Sequence, residues 1–519
     1  MHVEIALVAL FSVATGVALL ARRLKVPYTV ALVVAGLALG TAHAFEPPHL
    51  TKELLYAVFL PGLLFEAAFA LEYRKFMQNK VSILALAMPG LVAAIALTAV
   101  LLAPVVNGLH FVDHYSLGEA LVFASLIAAT DPIAVVAMFK SLGAPKRLAI
   151  LIEGESLLND GTAVVVFTLV LALVAGESMS AGSAVLGFVR VVGMGVVIGG
   201  AIGFAVSVVI HRVDDPMIEI TLTTIAAYGS FVAAEQFHFS GVIATVTAGM
   251  LCGNYAARTG MSASTRVAVS SFWEYLAFAL NSLVFLLIGF QVRVEALLAA
   301  WKPILVAYAA VTLGRAAVVY VSCFLLRRTR ERFPLAWDTV LTWGGLRGGL
   351  SMVLALGLPS SFPHRELILA MTFGVVILSI LIQGLTMGPL LRRLGLVGLR
   401  AGQLEYDTLR GALRASRAAV VELERMEKEQ ALPSSVSEEL QLGYRERIQA
   451  SERALAALHE RSEALREEER RAAGRQALMA EKDALLAALH SGEVGEEAFE
   501  ALVADVDARL FELGAGDHG

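Results

Sequence analysis

A cluster of ionisable side chains lies inside one of the most apolar stretches of the sequence, residues 124–167. It contains Asp131, Glu153, Glu155 and Asp160, although charged groups are otherwise sparse before the C-terminal tail. An ionisable group within a membrane-spanning segment is costly, so each one is a candidate functional residue. Carboxylates in such a setting can exchange protons, and their oxygens suit a small hard cation.

Asp131 stands between Thr130 and Pro132 in the middle of an apolar run. Proline removes a backbone donor and disfavours helical geometry in the preceding residue, so we expect the helix to break at Asp131. Freed carbonyl groups and half-helix ends at membrane depth can receive a cation. A structural alternative stays open, in which Asp131 only caps the second half of a kinked helix.

The next apolar run carries two carboxylates that point in different directions. Ser156 and Asp160 are four residues apart and share a helix face, whereas Glu155 lies about 140° around the helix. With Asn159 beside it, Asp160 offers oxygen ligands for a hard cation and no soft ligand for zinc or copper. We expect Glu155 to need a partner of its own.

Arg347 is the expected partner of Glu155. Four glycines surround it, which predicts a second loosened helix. A buried arginine without a counter-ion is very costly, while a hydrogen-bonded pair is tolerated. In the alternative, Arg347 reaches the membrane surface. Arg315 also lies within an apolar run, and the sequence identifies no acceptor for it.

The elements that must position these residues are membrane spans. The 519-residue chain is 57% hydrophobic and 17% charged, and its mean hydropathy is +0.71. Runs long enough to cross roughly 30 Å of hydrocarbon number about thirteen. They lie near residues 4–21, 27–43, 54–71, 81–105, 117–140, 147–175, 183–210, 217–235, 240–256, 268–292, 300–326, 336–358 and 366–391.

Basic residues fall mainly in alternate loops between these runs, which predicts that those loops and the C-terminus are cytoplasmic and the N-terminus is outside. We therefore divide the chain into a transmembrane domain, residues 1–395, and a charged, helix-favouring cytoplasmic domain, residues 396–519. The tail serves either as a solvated tether or dimerisation element, or as a regulator.

Several classes of function are disfavoured. The net charge of -5 argues against a nucleic-acid partner. Cys252 and Cys323 form no disulfide framework, and the histidines show no metal-site spacing. No His-Glu-x-x-His or Gly-x-Ser-x-Gly string is present, so we expect no enzyme and no cofactor.

Five motifs resemble the monovalent cation/proton antiporter family, which includes eukaryotic sodium/proton exchangers and bacterial NhaP-type antiporters. They are LLFEAAF (63–69), ATDPIAVV (129–136), GESLLNDGTAVVVF (154–167), NSLVFLLIG (281–289) and WGGLRGGLS (343–351). The resemblance extends to about Arg393. It implies an all-α membrane protein, a homodimer whose thirteen-helix subunits contain six-helix inverted repeats and two crossed broken helices.

The resemblance also implies roles for particular residues. Asp160 corresponds to the aspartate that binds the cation or the proton, and Glu155 with Arg347 corresponds to a structural ion pair. The family's other site residues fall on Glu66, Thr130, Asp131, Ser156 and Asn159, with Na+ held by Asp160, Asp131, Ser156 and Glu66. Glu153 has no assigned role.

The implied activity is exchange of Na+, or Li+, for H+ across the cell (inner) membrane, with a part in pH homeostasis. The Asn159-Asp160 pair resembles the electroneutral branch of the family, and we expect one cation for one proton. A K+/H+ antiporter, or a cation channel or sensor on the same fold, remains an alternative.

Overall fold

The computed structural model describes residues 3–24, 27–42, 55–176, 180–291, 294–327, 333–396, 400–461, 463–490 and 493–515. All regular secondary structure in these ranges is helical, so the all-α prediction is confirmed. The chain forms two compact units, residues 1–397 and residues 398–519.

The α-helices of the first unit are α1 (Val3–Leu24), α2 (Tyr28–Thr41), α3 (Leu60–Ala70), α4 (Tyr73–Gln78), α5 (Lys80–Ala85), α6 (Leu91–Gly108), α7 (Leu117–Leu126), α8 (Ile133–Leu142), α9 (Lys146–Val174), α10 (Ala181–Ile210), α11 (Pro216–Gln236), α12 (Gly241–Leu251), α13 (Ala263–Gln291), α14 (Val294–Ala299), α15 (Trp301–Leu326), α16 (Leu335–Trp343), α17 (Gly349–Leu356), α18 (Arg365–Leu378) and α19 (Gly384–Arg393). Short π-helical segments adjoin α3, α6, α12 and α19, at Leu55–Phe59, Leu86–Gly90, Cys252–Ala256 and Ser379–Gln383, and the single turn Ala257–Thr259 follows the third.

Seven helical segments of the described chain are long and apolar enough to cross a membrane. They are Lys80–Gly108, Lys146–Val174, Gly182–Ile210, Pro216–Gln236, Ala263–Phe290, Trp301–Leu326 and Arg365–Arg393. Shorter apolar helices lie at other predicted spans, among them α2, α7 and α8. The protein is therefore multi-spanning, while the count of thirteen and the inverted repeat stay predictions.

Two spans are interrupted at the positions that Pro132 and the glycines around Arg347 predict. α7 ends at Leu126 and α8 begins at Ile133, so Asp131 and Pro132 lie in non-helical backbone. α16 and α17 are separated by residues 344–348, the glycine-rich segment around Arg347. The backbone N–H of Asp131 donates to the carbonyl oxygen of Leu346 over 2.8 Å, so the two breaks are in direct contact.

The helices of the second unit are α20 (Arg400–Lys428), α21 (Ser434–Arg461), α22 (Glu463–His490) and α23 (Glu496–Ala515). Pro433 directly precedes α21, in agreement with its inability to continue a helix. An ion pair joins α20 to α21, with 2.8 Å between Nη2 of Arg417 and Oε1 of Glu452. Because its partners are exposed, this pair contributes little to stability.

Candidate ion-binding site

A cavity of about 310 Å³ lies against the first helix break. Apolar side chains of α3, α13 and α17 form much of its wall, including Leu60, Leu64, Val284 and Val353. Its polar lining consists of Glu66, Thr130, Asp131, Lys140, Glu153, Ser156, Asp160 and Asn281. The structure therefore brings together five of the six predicted cation and proton residues, and Asn159 is the exception.

Asn159 is buried behind the cavity wall, where it holds the broken backbone of the α7–α8 span. Its Nδ2 donates to Oγ1 of Thr130 over 3.0 Å and to the carbonyl oxygen of Ala128 over 3.2 Å. The Ser156 hydroxyl donates to the carbonyl oxygen of Thr130. These bonds satisfy backbone and side-chain groups that the helix break would otherwise leave unpaired.

Asp131 caps α8 and also lines the cavity. Its Oδ1 accepts the backbone N–H of Ile133 over 2.9 Å, which is the geometry of the capping alternative. Gly348 lies directly against its other face, since a Cβ on that glycine would be only 2.9 Å from Oδ2 of Asp131. The two interpretations of Asp131 are therefore compatible, and a glycine is required opposite it.

Asp160 lies deeper along α9 and faces the same cavity as Asp131. The Thr130 backbone interacts with its carboxylate, and within the described ranges Asp160 forms no ion pair. Glu155, on a different face of α9, is 3% exposed and does not line the cavity. The two carboxylates do point in different directions.

The predicted hydrogen-bonded pair of Glu155 with Arg347 is not formed, although the charges of the two residues interact. Glu155 instead forms a bidentate ion pair with Arg315 of α15, with Nη1 to Oε1 and Nη2 to Oε2 both at 2.9 Å. Arg315 also donates from Nη2 to the carbonyl oxygen of Leu341 at the end of α16. Gly345 makes room for it, because a Cβ there would lie 2.2 Å from Nε of Arg315.

Arg347 has a different set of acceptors. Its Nη1 donates to the carbonyl oxygens of Ala128 over 2.7 Å and Ala129 over 3.4 Å, and its backbone N–H donates to Ser379. The break in the α7–α8 span frees these carbonyl groups from helical bonding, so they are available to a guanidinium. The residue is 5% exposed, which excludes the surface-reaching alternative.

Sequence reasoning missed two features of this region. Arg315 had no assigned acceptor, because nothing in residue spacing shows which of two arginines reaches Glu155. Lys140 lies at the end of the predicted span 117–140 and belongs to the basic residues that indicate a cytoplasmic loop, yet its side chain lines the cavity. Lys140 follows Val136 by four residues on α8, so the two side chains share a helix face. This spacing is the sequence signal that places Lys140 on the cavity side of α8, because Val136 also lines the cavity.

Double-mutant cycles distinguish the two arginines as partners of Glu155. We expect Glu155→Gln to lower the free energy of unfolding by about 3–5 kcal/mol, because a buried guanidinium loses its counter-ion. The coupling energy measured by denaturation in detergent is expected to be larger for Glu155→Gln with Arg315→Gln than for Glu155→Gln with Arg347→Gln. A larger coupling to Arg347 would overturn the assignment.

The chain matches known proteins over most of the first unit. A family model described as "Sodium/hydrogen exchanger, transmembrane" matches residues 7–393. The Na(+)/H(+) antiporter ApNhaP of Aphanothece halophytica is 39% identical over 388 residues, 74% of this chain and 73% of the relative. The Na(+)/H(+) antiporter NhaG of Bacillus atrophaeus is 36% identical over 449 residues, 84% of this chain and 83% of the relative.

Among solved structures, the fold is similar to that of the sodium proton antiporter MjNhaP1 from Methanocaldococcus jannaschii. The TM-score is 0.62 at 19% sequence identity, and the match covers 76% of this chain and 99% of the other. The length of the family match and the sequence identity to the two bacterial relatives both place the chain in one family. The chain belongs to the sodium/hydrogen exchanger family of membrane transporters.

Proposed function

We propose that this protein exchanges Na+, or Li+, for H+ across the cell membrane by alternating access, and that the two ions compete for Asp160. The names of the relatives support the pair of substrates. The observation that carries the proposal is the position of Asp160, which faces a cavity lined with further oxygen ligands and has no counter-ion among the described residues.

The competition follows from the cost of a charged carboxylate away from water. Burial disfavours the charged form of Asp160, and either a proton or a bound cation compensates for that charge. Binding of Na+ therefore expels the proton, and protonation expels Na+. If the protein changes conformation only when one of them is bound, the two movements are coupled.

The proposed cation ligands are oxygens from Asp160, Asp131, Ser156 and Glu66. One oxygen of Asp131 is occupied by the cap of α8, and the other remains for a cation. The Ser156 hydroxyl donates a hydrogen bond to the carbonyl oxygen of Thr130 and accepts one from the Thr130 hydroxyl over 3.3 Å, which leaves one lone pair of Ser156 for a cation. In this account Thr130 and Asn159 position the broken backbone rather than serving as the main ligands.

The proposed stoichiometry is one cation for one proton. The ion pair with Arg315 compensates the charge of Glu155, so Glu155 takes no part in the cycle. Asp160 then carries the single exchangeable charge. Participation of Asp131 or Glu66 in proton transfer is the competing possibility, and it would make the exchange electrogenic.

We further propose a homodimer in the cell (inner) membrane, with the N-terminus outside and residues 396–519 in the cytoplasm. The support for this orientation is the concentration of Lys and Arg in alternate loops of the sequence. The dimer rests on the family resemblance alone.

Asp160→Asn is expected to abolish exchange without unfolding the protein, because the amide is close to isosteric with the carboxylate but neither releases a proton nor neutralises a cation. The measurement is Na+-driven proton movement in proteoliposomes, followed with a pH-sensitive dye, together with the melting temperature. Asp113→Asn, at an exposed position, is the matched control and should behave as wild type. Na+-dependent proton movement retained by Asp160→Asn would contradict the site assignment.

The stoichiometry predicts that a membrane potential does not drive the exchange. We expect the initial rate of Na+/H+ exchange to be unchanged when K+ and valinomycin set the potential to different values. A rate that follows the potential would show that unequal numbers of protons and cations are exchanged. Current without coupled proton movement would indicate a channel, and equal proton flux on adding K+ alone would favour a K+/H+ antiporter.

A further inference from the structure

A second acidic side chain extends the polar surface of α9 toward Lys140, an exposed residue that also lines the cavity. Ser156 follows Glu153 by three residues and Asp160 follows it by seven, so the three side chains lie on one face of the helix. All three line the cavity. With a rise of about 1.5 Å per residue, Glu153 lies about 10 Å nearer the start of α9 than Asp160 does.

A cationic side chain reaches the same part of the cavity. Lys140, near the end of α8, is exposed and lines the cavity together with Glu66 and Glu153. The charges of Lys140 and of both carboxylates interact. Within the part of the chain that the structure describes, Lys140 forms no ion pair within 4.0 Å with either carboxylate, so its ammonium is not held by one fixed contact.

We propose that Glu153 and Lys140 set the apparent affinity of the transporter for the entering cation. Glu153 raises this affinity and Lys140 lowers it. Glu153 raises the local cation concentration in the part of the cavity that the exposed Lys140 also lines. The Lys140 ammonium is a tethered cation that competes with the entering one for Glu153 and Glu66. This inference rests on the proposed function, and it assigns roles to two residues that the binding step at Asp160 does not use.

The location of the two residues determines which kinetic quantity they change. They act before the cation reaches Asp160, so they affect how often the site is filled rather than how fast a filled site turns over. Lys140 is exposed and Glu153 is partly exposed, so dissolved salt is expected to screen their effect. A residue that only stabilised the fold would show neither the separation of KM from maximal rate nor this dependence on salt.

The test measures KM for Na+ and the maximal exchange rate in proteoliposomes at low and high choline chloride. Glu153→Gln should raise KM, and Lys140→Gln should lower it, each by about two- to fivefold, the size expected for one partly exposed charge pair. Maximal rates and melting temperatures should stay near wild type. The shifts should shrink at high salt, and the double variant should return KM toward the wild-type value.

Glu274→Gln is the matched control. The charge of Glu274 interacts with that of Glu66, but the residue is exposed on α13 and does not line the cavity, so Glu274→Gln should change KM less than Glu153→Gln does. Glu153→Asp keeps the charge and should preserve KM at low salt.

Several results would overturn the proposal: KM shifts of the same sign in the two variants, shifts that persist at high salt, or no difference from Glu274→Gln. Loss of maximal rate and of thermal stability together would instead give both residues a structural role. Absence of Na+-driven proton movement in the wild type would reject the proposed function itself and this inference with it.

Discussion

Backbone polar groups inside a membrane must find partners within the protein, and the two broken helices of this structure depend on that requirement. At the first break, the carbonyl groups of Ala128 and Ala129 accept Arg347. The N–H of Asp131 bonds to Leu346 of the second break. Each break thus supplies the partners that the other lacks, and together they hold Asp131 at the cavity wall.

The same arrangement separates two kinds of buried charge. Behind the cavity, Glu155 and Arg315 neutralise each other through two parallel hydrogen bonds, the strongest geometry for such a pair. In front, Asp160 faces open space with only the Thr130 backbone and neighbouring oxygen ligands around it. The charge of Glu155 is already neutralised by Arg315, so Glu155 gains little by binding a proton or a cation. Asp160 has no such counter-ion among the described residues, so a proton or a cation stabilises it. This contrast is the physical basis for assigning transport to Asp160 and architecture to Glu155.

The local features of the site could be predicted from sequence, and the long-range pairing could not. Pro132 and the glycines around Arg347 indicated both breaks, because their effects on the backbone are local. The shared face of Ser156 and Asp160 follows from helix geometry alone. The partner of Glu155 depends on which of two arginines, 160 or 192 residues away, reaches it in the fold. Arg315 can reach Glu155 because Gly345 has no side chain that would block it. The guanidinium of Arg347 instead donates to the carbonyl groups of Ala128 and Ala129.

Calorimetric titration of the purified protein with NaCl measures directly whether a proton and a cation compete for Asp160. Repeating the titration in buffers with different heats of ionisation gives the number of protons released per Na+ bound. If the two ions compete for this carboxylate, close to one proton is released per Na+ bound at a pH where Asp160 is protonated, and Asp160→Asn shows neither Na+ binding nor proton release. Na+ binding without proton release at every pH would contradict this competition.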